Sequence, residues 1–163
     1  MPYLLLPLVV FAVMSGLIYQ TRQQADQIAG SGDIGIAEQA GHVRAIQAQA
    51  FAHACLEAAI AIPAAIASDW PVTLPSGVVP IANARCETTL DTTTGNHDGR
   101  LVVASVPDSP GVAAQLMRAL DGSLTWSRVN EPGQGTTLAS GQLVTVPADT
   151  PVNSLVYQVR VSP

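Results

Sequence analysis

Four groups of side chains in this 163-residue sequence have types and spacings that chemistry could use. His53 and Glu57 lie four apart, so on a helix they share a face and form a candidate metal pair. No third ligand falls at a matching spacing, and a surface ion pair is the plainer reading. Cys55 points elsewhere on the same helix. A Cys–His nucleophile would need its partner brought in by folding, and an Ala-rich stretch suits a core or disulfide cysteine better. Asp91 and Asp98 flank an expected hairpin and could approach each other as the paired carboxylates of a hydrolase, although ordinary turn chemistry accounts for both. Gly133-Gln134-Gly135 is too short and too late in the chain for a phosphate loop. His42, directly after Gly41, and His97, at an expected turn tip, read as solvated side chains. The sequence therefore predicts no catalytic, metal-binding or cofactor-binding residue, no small-molecule substrate and no enzyme activity.

Cys55 and Cys86 are the two cysteines. Outside the cytoplasm such a pair is most simply one disulfide. It would close a loop of about 30 residues and contribute on the order of 3 kcal/mol. The other reading is two buried thiols.

The elements that must position these groups begin with an apolar run. Tyr3 to Tyr19 contains no charged side chain, and Gln20, Thr21, Arg22, Gln23 and Gln24 follow it. As a helix this run would extend roughly 25 Å, near the lower limit for crossing a hydrocarbon core of about 30 Å. A cleaved signal would carry basic residues first and a small-x-small site after; neither is present. A type IV pilin precursor would carry a basic leader ending in Gly and an early Glu, but no carboxylate precedes Asp26. The favoured expectation is an uncleaved single-pass anchor over 1–20. Pro7 lies near its start, where a lost hydrogen bond matters less. Arg22 alone flanks it, so charge gives at most a slight preference of orientation, and that for the opposite side.

All seven basic residues are Arg and the net charge is −5. No basic patch exists, and nucleic-acid binding is excluded on that ground. Charged residues make up 12% of the chain, which implies a weakly solvated surface suited to work within an assembly.

Gly30, Gly32 and Gly35 mark a hinge over 21–35, and Asp33 could cap the helix that follows. An Ala-rich helix is expected from Ile36 to Asp69, with Pro63 kinking or ending it and a last turn restarting before Trp70. Ile36, Ala40, Val43, Ile46, Ala50, Ala54 and Ala58 form its expected amphipathic stripe, widened by Phe51, Cys55 and Ile62. The residues between Pro71 and Pro80 form a loop. Strands follow at 86–92 and 100–106, joined through an Asp98-Gly99 hairpin signal. A short helix starts near Val112 and runs to about Leu120, capped by Asp108 or Ser109. Further strands are expected at 124–129, 142–146 and 154–161, with a turn over 131–135. Ser154 to Val161 alternates as if one face were buried and the other wet. The fold class is α+β: a membrane helix, then a long amphipathic helix packed on an antiparallel sheet over 36–163, in a pilin-like layout. Trp70, at the expected end of the long helix, would seal it against the sheet or dock a partner.

In that layout the chain resembles the PilM-type proteins of type IVb (thin, conjugative) pilus gene clusters. Met1 to Val10 is similar to the family's uncleaved apolar start, and Phe51 to Ile62 to the helical stretch before its Pro-rich connector, here Asp69 to Pro75. Leu116, Leu120, Ser127 and Val129 follow its C-terminal spacing, as do Gly141-Gln142-Leu143, Val146-Pro147 and Pro151 to Val156. Asn130 and Asn153 stand where the family pattern has Gly. The resemblance implies a bacterial inner-membrane protein with a periplasmic domain, which fits the disulfide reading. It implies a structural role in pilus assembly or the pilus base, with the membrane, pilins and inner-membrane assembly proteins as partners. Candidate contacts are Ile36, Val43, Ile46 and Trp70. Two other roles remain open: a minor pilin or pseudopilin within the fibre, and an anchored or secreted hydrolase.

Overall fold

A computed structural model describes residues 33–62, 65–91, 99–119 and 125–161. The Tyr3–Tyr19 run, the first part of the expected hinge, Pro63, His97, Asp98 and Leu120 lie outside these residues. Among the described residues, no helix is long and apolar enough to cross a membrane. Two compact units divide the chain, Met1–Ala40 and Gly41–Pro163. The described part of the first is the opening of one helix; everything below belongs to the second unless stated.

Helix α1 spans Asp33–Ala61. It takes in Asp33, Ile34 and Gly35 of the expected hinge and stops two residues before Pro63, whose ring disfavours helix in the residue preceding it. The helix does not restart. Ala67 instead forms a bridge with Thr88, and the Trp70 amide donates to the Cys86 carbonyl at 2.8 Å. This segment therefore covers the outer edge of the first strand, an edge that would otherwise be open to pairing.

Six strands form one sheet: β1 Arg85–Leu90, β2 Arg100–Pro107, β3 Trp126–Glu131, β4 Gln134–Thr137, β5 Leu143–Thr145 and β6 Ser154–Val161. Their order is β1-β2-β6-β3-β4-β5, with every pairing antiparallel. Helix α2, Val112–Ala119, follows β2. The α+β class and the long helix on an antiparallel sheet are as the sequence implies.

Period-two alternation sends Cys86, Val102, Ala104, Val106, Trp126 and Leu155 to one face of the sheet. There they meet Ala45, Ala48, Phe51, Ala52, Cys55 and Ala59 of α1 and Val112 and Leu116 of α2 in the main core. Val103, Val129, Val146 and Val156 make a smaller core on the other face. That second core explains why β6 does not alternate. Ser154, Leu155 and Val156 are all buried, because the chain between β5 and β6 brings Val146 over the side expected to be wet.

The buried face of α1 also differs from expectation. Gly41, Ala45, Ala48, Ala52, Cys55 and Ala59 turn inward, whereas Ile36, Ala40, Val43 and Ile46 of the expected stripe are exposed. Apolar residues are spread around the helix among the polar ones, so three- and four-residue spacing fits two faces. Close approach selects the smaller side chains. A Cβ on Gly41 would lie 3.2 Å from the Gly111 carbonyl carbon and 3.3 Å from the Pro110 oxygen. Of the expected stripe Ala54 is buried, as are Phe51 and Cys55 that widen it, with Ala50 and Ala58 half-buried and Ile62 exposed.

Candidate functional site

Cys55 of α1 and Cys86 of β1 are joined in a disulfide with an S–S length of 2.02 Å and Cα atoms 5.6 Å apart. Both residues are almost fully buried. Strand β1 places Cys86 and Thr88 on the same face, and Thr88 organises the region beside the disulfide. Its hydroxyl donates to the Ala65 carbonyl at 2.9 Å and accepts from the Ala67 amide at 3.1 Å and from Trp70 Nε1 at 2.9 Å. Trp70 is thus half-buried and hydrogen-bonded, and it packs at the margin of the main core.

Trp70 also borders an open cleft of about 280 Å³, with Phe51, Val72, Leu74, Pro80 and Ile81 as apolar walls and Cys86 at its base. The loop from Pro71 to Pro80 thus forms one wall of the cleft. Of the four candidate contact residues, Trp70 lines this cleft, while Ile36, Val43 and Ile46 are 59%, 54% and 50% exposed along α1.

The groups considered for chemistry are not brought together. His53 Nδ1 and Glu57 Oε1 are 3.5 Å apart on the exposed side of α1, the geometry of a surface pair. Asp91 is buried and paired with Arg160, Oδ2 to Nε at 3.0 Å. Its amide donates to the Gly99 carbonyl at 3.0 Å, closing the limbs of the β1–β2 hairpin. His42 is exposed. Gly133 sits at φ +80 in the β3–β4 turn, and Gly135 lies within β4, against the Arg128 carbonyl. Among the described residues, no three His, Cys, Asp or Glu side chains come together as metal ligands. The caps expected for α2 do not form as such. The Asp108 carboxylate instead pairs with Arg128 at 2.7 Å, and the Ser109 hydroxyl is buried without a partner.

Two charged residues without a sequence signature, Arg100 and Glu87, are buried. Arg100 opens β2, is 7% exposed, and donates to the carbonyls of Ala59 at 3.1 Å, Ile62 at 3.3 Å and Ala65 at 3.2 Å. A guanidinium at the C-terminal end of a helix meets both its orphan carbonyls and its negative dipole end. Glu87, on the other face of β1, is also 7% exposed, and its Oε1 has no hydrogen-bond partner. Burial, reinforced by the charge of Asp149 and opposed by Arg85, pushes its carboxyl up to about 7. Burial also raises the Tyr157 phenol, whose ring lies 5.5 Å from that of Trp126.

The two asparagines at glycine positions of the family pattern have structural uses. Asn153 adopts φ +61, in the left-handed region that Gly and Asn tolerate. Asn130 sits where the β3–β4 register shifts, and its amide nitrogen donates to the Thr136 hydroxyl.

No protein-family model matches this chain. No curated protein matches it either. Among solved structures, it is similar to a crystal structure of a protein given the name PilM, from Escherichia coli B7A. The identity is 18%, over 74% of this chain and 93% of the other, with a TM-score of 0.47.

Proposed function

We propose that this chain is an inner-membrane-anchored structural component of type IVb pilus assembly or the pilus base, acting by protein–protein contact and without catalysis. In this reading Tyr3 to Tyr19 holds it in the membrane by a single pass and residues 36–163 stand in the periplasm. Its partners are pilins and inner-membrane assembly proteins. The sequence resemblance to PilM-type proteins supports the system. A disulfide between Cys55 and Cys86 suits an oxidising compartment. The observation that carries the contact role is the outer side of α1, where Ile36, Val43 and Ile46 are each at least half exposed. A helix that keeps large apolar side chains on its outer side has contact area to spare for a partner once the sheet is covered.

Val43→Glu and Ile46→Glu together test this. They add charge on the exposed side and leave the inward face untouched. The expected result is an unchanged melting temperature with loss of pilus assembly in the native host. Normal pili with a stably folded variant would reject the reading.

A further inference from the structure

The sheet face opposite the helices is covered by a strap. Residues 146–153 run from the edge strand β5 back to β6, in the interior of the sheet. Few backbone bonds hold the strap. The Val146 amide donates to Gly133 at 3.1 Å, the Thr150 amide to Pro147 at 3.1 Å, and the Asn153 amide to Val129 at 3.0 Å, while the Asp108 amide donates to the Asn153 carbonyl at 3.1 Å. Beneath it lie Val103, Val129 and Val156.

Glu87 stands on this face, in register with Val103. Its Oε1 is buried without a partner. Asp149, exposed on the strap, adds a second negative charge that acts on it, and Arg85 of the same strand is the opposing positive one. Asp91 of the β1 limb and Arg160 of β6, on this face, are engaged with each other at 3.0 Å, and Asp108, whose amide bonds the strap, is paired with Arg128 at 2.7 Å. β2 presents the uncharged Leu101, Val103, Ser105 and Pro107 here.

We propose that Glu87 and Asp149 form a pH-operated latch: the strap lies on the sheet while Glu87 is protonated and lifts when it ionises. An ionised Glu87 would be a buried carboxylate with an unsatisfied oxygen beside a like charge, which is unfavourable on both counts. The strap is the weakest element able to relieve it, because β1 is fixed by six register pairs to β2 and by the disulfide. Burial and the Asp149 charge, which hold the carboxyl near 7, set the transition close to neutrality.

Hydrogen exchange of the full-length chain between pH 5.5 and 8.5, corrected for the intrinsic exchange rate, tests the latch. Protection of the Val146, Thr150 and Asn153 amides is expected to fall by up to about tenfold per pH unit as pH rises toward 7 and to level off above it, the dependence of an opening coupled to one proton. Amides of β2 and β6 should keep theirs. Glu87→Gln should make strap protection independent of pH. Asp149→Asn, a surface substitution that leaves the buried carboxyl in place, removes a like charge from the closed state, so the fall in strap protection should end at a lower pH and be smaller than in the native chain. Strap protection that is flat with pH in the native chain, a fall shared equally by β2 and β6, or a midpoint unmoved by Asp149→Asn would overturn the proposal.

Discussion

Arg100 donates from Nη2 to the Ala59 carbonyl at 3.1 Å, so the first residue of β2 closes the last turn of α1. The same guanidinium reaches Ile62 and Ala65 through Nη1. A single buried cation thus joins the end of the long helix, the segment that covers β1, and the sheet. Arg100→Ala would leave three carbonyls without this donor. It should destabilise the domain by about 3 kcal/mol, measured by denaturant unfolding, with Arg100→Lys recovering part of the loss. A change below about 0.5 kcal/mol, the range of ordinary surface substitutions, would show that water replaces the guanidinium at no cost.

The disulfide ties the same helix to the same hairpin through β1. Replacing both Cys55 and Cys86 by Ala should lower stability by about 3 kcal/mol. The unreduced native chain should also weigh two hydrogens less than the reduced one. A stability equal to the native value would mean that packing around the pair, rather than the bond, fixes α1 on β1.

Gly41 marks the close approach of α1 to the start of α2. Gly41→Ile would force a branched side chain against the Gly111 and Pro110 backbone, where even a Cβ is at 3.2 Å. Overpacking of this kind costs about 1–3 kcal/mol, and thermal unfolding should show it. An unchanged melting temperature would mean that the start of α2 yields freely.

Much of this architecture is legible in the sequence, and the misses have physical causes. Ser154–Val161 and the two limbs of the β1–β2 hairpin are legible as strands because Val, Thr and Leu concentrate there between turn signals, although the one-sided burial expected of β6 does not hold. β4 is missed, its first two residues falling in the expected turn, because Gln134-Gly135-Thr136-Thr137 has no apolar alternation and owes its place to pairing with β3 and β5. The inward face of α1 is misread because Ile and Val weigh more than Ala in any apolar stripe, while close packing favours Ala and Gly. An isolated Gly41 within a helical pattern is the signal that was available. Arg100 and Glu87 carry no local signature: each is defined by what folding places against it.

Glu87 gives the stability a direction with pH. Its carboxyl rises from 4.5 to about 7 in the folded chain, so folding takes up a proton between these values. The stability linked to that proton is fully present below pH 4.5 and is lost as pH rises through 7. Melting temperature should therefore fall between pH 5 and 8, other groups being equal. Glu87→Gln should flatten the profile and exceed the native chain at pH 8. A native chain that melts higher at pH 8 than at pH 6 would contradict this assignment.

The anchored structural role stands or falls on the N-terminal run. The most direct measurement is the intact mass of the native protein, taken unreduced from the membrane fraction. The expected result is a chain that keeps Tyr3 to Tyr19, carries no methyl group and lacks the two thiol hydrogens. Loss of roughly the first 20 residues would make it a secreted domain. A short N-terminal loss with an added methyl group would make it a pilin subunit, and either result would contradict the account.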